Sequence, residues 1–210
     1  MLTRRDILQK SVALGSVVIA SHSSPEAMLV AFQDREEQIR KPTPPNPLGP
    51  FYKRLTPVND VLRAPGDPGM PLTLSGQVFD TRGDVVPDAT IEIWQTNHQG
   101  YYDVDGYRYR GKRQVDRSGA YSFESVIPGQ YPDKSRICQH VHCLVAAPGH
   151  KTLVTQLYFA TDPVFEGDPI KNYSRDPLIQ TPELIRPVML IGDPNEVHAK
   201  VQLELCLERL

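Results

Sequence analysis

Proline recurs twenty times along these 210 residues, beside fourteen glycines. A proline inside a helix removes a backbone hydrogen bond and collides with the preceding turn, at a cost of ~3 kcal/mol or more. This argues against a helical bundle and for short strands joined by turns. The apolar residues agree. In "VHAKVQLELCLERL", Val197, Ala199, Val201, Leu203, Leu205 and Leu207 occupy one face of an extended chain. His198, Lys200, Gln202, Glu204 and Glu208 occupy the other, broken only by Cys206. Period two marks a half-buried strand. "LTLSGQVFD", "ATIEIWQ", "GAYSFESV", "HVHCLVAA" and "TLVTQLYFA" read as further strands, with turn chemistry in "TRGDVVPDA". The predicted fold is all-β, an antiparallel β-sandwich core with long loops and little helix.

Several function classes drop out early. Basic and acidic residues are balanced, 23 against 25, for a net charge of −2, with no basic stripe to suit nucleic acid. No glycine-rich phosphate loop and no strand–helix alternation point to a nucleotide enzyme. Three cysteines, Cys138, Cys143 and Cys206, leave at least one thiol free within a monomer. On a continuous strand Cys138 and Cys143 face opposite sides, so the chain is not expected to be stapled by a disulfide. The N-terminus reads differently from the rest. Arg4 and Arg5 precede an apolar run from Ser11 to Ser21, too short for the ~20 residues of a membrane span. Residues 1–27 resemble a twin-arginine export signal, which implies a periplasmic or extracellular protein without a stable membrane anchor. The alternative is an ordinary basic amphipathic N-terminus on a cytoplasmic protein. Residues 28–48 read as a linker or N-terminal arm, its proline-dense end extended over the surface of a domain spanning 49–210.

The candidate chemistry begins at "QHVHC". His140 and His142 stand at i and i+2, so on a strand both imidazoles lie on one face and can approach one ion. A surface pair would have the same spacing. There is no H-E-x-x-H, no C-x-x-C and no nearby carboxylate at facial-triad spacing. Tyrosines, however, gather upstream: Tyr101, Tyr102, Tyr107, Tyr109, Tyr121 and Tyr131. A phenol titrates near ~10 in water. If the histidines bind a metal with phenolate partners, the ion must be hard and strongly charged, which suits ferric iron better than zinc.

With these segments in view, residues 49–160 resemble the intradiol ring-cleavage dioxygenases, non-haem iron(III) enzymes that open catechols. The resemblance rests on four spaced segments in order: "GPFY" (Gly49 to Tyr52), "LSGQVFDTRGDVVPDATIEIWQTNHQGYY" (Leu74 to Tyr102), "PGQYP" (Pro128 to Pro132) and "QHVH" (Gln139 to His142). "APGHKTLVTQLYF" (Ala147 to Phe159) fits the strand that follows. It implies iron(III) held by Tyr102, Tyr131, His140 and His142, with Tyr101 the adjacent alternative to Tyr102. It implies a small aromatic diol and O2 as partners, cleavage between the two hydroxylated carbons to a muconate-type dicarboxylate, and Tyr131 as base for the incoming diol. It leaves room for a homo-oligomer. Candidate substrate contacts are Tyr52, Arg136 and Gln156.

One position departs from the family. An arginine usually stands three residues before the first histidine; here that residue is Ile137. Arg136 is adjacent, and a local bulge would bring its guanidinium into the site. Trp94 and Tyr121 read as packing residues, His98 and His150 as surface or turn histidines, and Glu92 as solvated or paired. Two other readings remain beside the enzyme: a metal-free β-sandwich binding module, and an inactive iron-binding relative.

Overall fold

A computed structural model describes residues 39–133, 136–192 and 197–210. The export signal expected over 1–27 and most of the arm expected over 28–48 lie outside the described residues. No helix among those described is long and apolar enough to cross a membrane.

Among the described residues, ten strands form two sheets. They are β1 (Pro71–Asp80), β2 (Thr90–Gln95), β3 (Arg110–Gln114), β4 (Ala120–Val126), β5 (His140–Ala146), β6 (Leu153–Phe159), β7 (Ile185–Arg186), β8 (Met189–Ile191), β9 (His198–Gln202) and β10 (Leu205–Leu207). In the first sheet β1 is flanked by antiparallel β4 on one edge and by parallel β9 and then β10 on the other, with β8 beyond β9. The second has the order β3-β2-β5-β6-β7. One four-residue helix, α1 (Pro169–Asn172), and three short 3-10 turns make up the helical content of the described residues. The all-β expectation holds, but both sheets are mixed. The parallel pairs join elements far apart in the chain, whereas tight turns can only make antiparallel ones.

The two sheets share one core. Leu72, Leu74, Phe123 and Val201 of the first cluster with Ile91, Ile93, Val141, Cys143, Val145, Leu157 and Phe159 of the second. Each such side chain contributes about 1.5–3 kcal/mol on full burial. All three cysteines are buried and free.

The alternating C-terminal run is two strands rather than one. At the break, the Leu203 amide donates to the Ser75 carbonyl at 2.9 Å and the Tyr121 hydroxyl donates to the Leu203 carbonyl at 2.5 Å. That carbonyl turns into β1, where a Cβ on residue 76 would lie 1.9 Å from it; only glycine fits. Tyr121 is thus more than packing, since it satisfies a buried acceptor.

The proline-dense segment has no regular structure and is bonded to both sheets. Thr43 donates its amide to the Cys206 carbonyl at 3.0 Å, Asn46 to that of Val154 at 2.9 Å, and Thr155 donates its hydroxyl to the Pro44 carbonyl at 2.7 Å. This strap crosses the outer face of the second sheet, where the alternation opposite the core places His140 and His142.

Gly76→Ala forces the Leu203 carbonyl to move. It is expected to cost about 1–3 kcal/mol, read as a lower urea midpoint with an unchanged slope; wild-type stability would contradict the close approach.

Candidate metal centre

Strand parity sorts β5. Val141, Cys143 and Val145 enter the core, so His140 and His142 must lie on the opposite face. There they are 5% and 3% exposed, which removes the surface-pair reading. Beside them on that face, His140 pairs with Tyr158 and His142 with Gln156 and Trp94. Trp94 stacks on His142 with ring centroids 4.8 Å apart at 4°. On the other side Gly49, with φ +77°, leaves space for the same imidazole: a Cβ there would sit 3.0 Å from its Cε1.

Two loops bring the phenols. Tyr102 is on the β2–β3 loop and Tyr131 on the β4–β5 loop. The loops are tied together, as Thr96 Oγ1 donates to the Gly129 carbonyl at 2.9 Å and the Gly129 amide to the Asn97 carbonyl at 2.8 Å. Two buried aspartates anchor the lead-in to β5. Asp162 accepts from the Gln130 side chain at 3.0 Å and from the Gln139 amide at 2.7 Å; Asp176 accepts from the Cys138 amide at 2.8 Å. Sequence reasoning passed over both. Their signal was the Asp-Pro dipeptides at 162–163 and 176–177, a common turn and cap pattern.

The result is a compact triangle of donor atoms. Tyr102 Oη lies 3.1 Å from Tyr131 Oη and 3.4 Å from His140 Nε2, and Tyr131 Oη lies 3.2 Å from the same nitrogen. His140 Nδ1 is 2.7 Å from the Cys138 carbonyl. That bond requires the proton on Nδ1 and turns the Nε2 lone pair into the triangle, as in metal-binding histidines. The His142 ring stands 4.9 Å from His140 and 6.2 Å from Tyr102, and its Nδ1 is buried without a hydrogen-bond partner. Metal–donor bonds of about 2.0–2.2 Å need donors roughly 3–3.5 Å apart, so the spacing fits one ion. No group of three or more His, Cys, Asp or Glu suited to a metal occurs among the described residues. Any ion here would need the phenols.

Burial makes all four groups neutral without a metal. It drives the Tyr102 phenol far above its ordinary value, and neighbouring Tyr131 adds to this while Arg110 opposes it. Tyr131 is raised for the same first reason. Burial holds His140 below its usual range, against the pull of its bond to Cys138, and holds His142 further below, helped by His140. Neutral imidazoles are ready ligands; the phenols yield their protons only to a strong Lewis acid.

A cavity of about 380 Å³ opens beside the triangle, lined by Phe51, Tyr101, Tyr102, Val104, Tyr131, Pro132 and Asp133, with Gly100. Phe51 stacks on Tyr102 at 4.3 Å. Tyr101, by contrast, is 58% exposed. The other expected substrate contacts do not line this cavity. Gln156 sits beside His142 and is spent on the scaffold, donating to the Pro47 carbonyl at 3.1 Å and accepting from Tyr158 at 2.6 Å. Tyr52 packs 5.1 Å from Trp94. Arg136 is exposed and borders a different depression with Val164, Glu166 and Arg175, so the bulge that was to turn it inward is not what the chain forms. Glu92 is buried and accepts a hydrogen bond from Thr56.

Residues 48–201 match the family model described as Dioxygenase. Hydroxyquinol 1,2-dioxygenase of Rhodococcus opacus is 30% identical over 98% of this chain and 75% of its own length. Catechol 1,2-dioxygenase of Candida albicans is 32% identical over 59% of this chain and 49% of its own. Among solved structures, the dioxygenase domain of a carbohydrate-binding fusion protein from Streptomyces sp. SirexAA-E superposes with a TM-score of 0.69 at 29% identity, covering 81% of this chain and all of that one. Catechol 1,2-dioxygenase of Pseudomonas arvilla C-1 gives 0.69 at 25%, covering 87% and 67%. The chain thus spans between about half and three quarters of these full-length relatives. Fold and match together define a dioxygenase. Within that class the chain belongs to the intradiol ring-cleavage family.

The neutral histidines set a pH dependence. Their folded-state values lie below the ordinary 6.5, at which the unfolded chain titrates, so below that pH the unfolded state binds more protons. Stability of the metal-free protein is therefore full above pH 6.5 and falls beneath it, by up to ~1.4 kcal/mol per pH unit for each histidine. Urea midpoints measured from about pH 7.5 to 5.5 should fall more steeply for the wild type than for a His140→Gln/His142→Gln variant. Equal slopes would contradict neutral burial.

Proposed function

We propose that this chain is an intradiol dioxygenase that opens a catechol-type ring between its two hydroxylated carbons with O2, giving a muconate-type dicarboxylate. Iron(III) would be held by Tyr102, Tyr131, His140 and His142. The observation that carries this reading is the donor triangle of Tyr102, Tyr131 and His140, with edges of 3.1–3.4 Å, beside an open aromatic cavity. When bound, iron(III) supplies a Lewis acid for the diol oxygens and the electronic path by which O2 reacts with the ring.

The residues divide the remaining work. Tyr131 Oη, at the junction of triangle and cavity, would give up its proton on iron loading and, as the phenolate, would take one from the entering diol. Tyr102 is held by its stack on Phe51, and His140 by its bond to Cys138. Phe51, Val104 and Pro132 form apolar walls that orient an aromatic ring and shed water. Asp133, the one charged side chain of the lining among the described residues, disfavours substituents that carry a carboxylate. This supports a neutral diol, in line with relatives named for catechol and hydroxyquinol. Arg4 and Arg5, ahead of their apolar run, support export of the chain from the cytoplasm.

Ferric protein is expected to show a tyrosinate-to-iron charge-transfer colour and to consume O2 with catechol, releasing the intradiol product. Tyr131→Phe should lower kcat about 10²–10⁴-fold, and His142→Ala should abolish stable iron loading. A colourless protein that cannot be loaded with iron, or a product cleaved outside the diol, would overturn the reading.

A further inference from the structure

Arg110 opens β3 and is 2% exposed, yet it forms no ion pair among the described residues. A buried cation without a paired anion is costly to keep unless the fold uses its charge or its donors. Here two donors are spent on backbone: Nη1 on the Phe51 carbonyl at 2.7 Å, and Nη2 on the Asp103 carbonyl at 3.3 Å. Nε is buried with no partner. The guanidinium carbon stands 5.7 Å from the centroid of the Tyr102 ring.

These contacts converge on one residue. Phe51 is the ring stacked on Tyr102, and Asp103 is its chain neighbour. The planar fork grips both backbones that flank the phenol and places its charge within reach of the ring. Arg110 does not line the 380 Å³ cavity; its bonded donors are spent on the Phe51 and Asp103 carbonyls behind it. Meanwhile Ile137 stands where the family usually carries an arginine, and Arg136 faces away at the surface. Among the described residues, the buried cation beside these donor groups thus packs against the Tyr102 ring and stays out of the cavity lining.

We propose that Arg110 is the positioning residue of this site, clamping Tyr102 between Phe51 and Asp103 and setting the electrostatic field on its ring. The proposal rests on the reading that Tyr102 is an iron ligand. Two consequences follow in sign. A positive charge beside a phenolate stabilises its donor electrons, so the charge-transfer band of the ferric protein lies at higher energy than it would without Arg110. Because the residue holds a ligand and not the substrate, its loss acts on kcat or iron affinity more than on KM.

The test uses the full chain loaded with ferric iron, with catechol as substrate. Arg110→Gln keeps one amide donor and removes the charge; Arg110→Lys keeps the charge and removes the fork. The glutamine variant is expected to show a band at longer wavelength and a loss of roughly 10–100-fold in kcat or iron affinity, with KM within about threefold. The lysine variant is expected to return the band towards wild type while kcat stays reduced. An unmoved band in Arg110→Gln, an equal displacement in both variants, or a KM effect alone would overturn the role. Should the glutamine variant fail to fold, Arg110→Lys decides: reduced kcat with a wild-type band supports the clamp, and wild-type kcat overturns it. A wild-type chain that takes up no iron sinks the iron reading itself, and this role with it; unmoved bands in coloured variants overturn only the role of Arg110.

Discussion

The register of β5 is the constraint on which the site depends. Val141, Cys143 and Val145 are each buried in the shared core, and a slip of one residue would put His140, His142 and Leu144 in their place. Burying two imidazoles in that core while exposing three apolar side chains would cost several kcal/mol in lost apolar burial alone. The core therefore holds His140 and His142 outward through the two pairings on either side, with β2 and with β6. The histidine pair sits on a central strand, where both neighbours resist movement, while the phenols come from loops whose tips must be tied down separately.

An outward face would ordinarily be wet. Here it is dry because the strap from Ile39 to Thr56 and the two phenol-bearing loops close over it. The strap is held by backbone carbonyls, with Gln156 and Thr155 reaching out from β6 to Pro47 and Pro44. Proline suits that arrangement, since it lacks an amide to satisfy and still offers a carbonyl. Dryness then decides the chemistry. It keeps the imidazoles unprotonated and makes the phenols reluctant acids, a combination that favours a strongly charged hard cation over water or a proton.

Much of this could be read from the chain, and the limits follow a physical line. Alternation revealed the strands because each had to bury one face. The i, i+2 histidines and the spaced tyrosines were visible because they lie in short segments resembling a known family. What escaped was whatever depends on backbone groups as partners. Leu203 looked like one more inward residue, yet its carbonyl breaks the strand against Gly76. Asp162 and Asp176 lie in ordinary Asp-Pro turn dipeptides, yet they receive the amides ahead of β5. Trp94 read as packing, and it does pack, against an imidazole. Side-chain identity carries no mark of which carbonyl lies opposite it.

Arg110 is the sharpest instance. It begins "RGKRQ", where three of five residues are charged and no alternation marks a buried face. Only the pairing of Arg110 with Trp94 shows that it enters the same outer face as His142. A charge over a substrate discriminates among substrates, whereas a charge behind a ligand acts on every substrate alike. Placing the cation on β3, outside the cavity lining, keeps its charge on Tyr102 apart from the surface a substrate meets. It leaves the cavity wall to Phe51, Val104 and Pro132, free to follow the shape of the ring, while the field on Tyr102 is set from the rigid sheet.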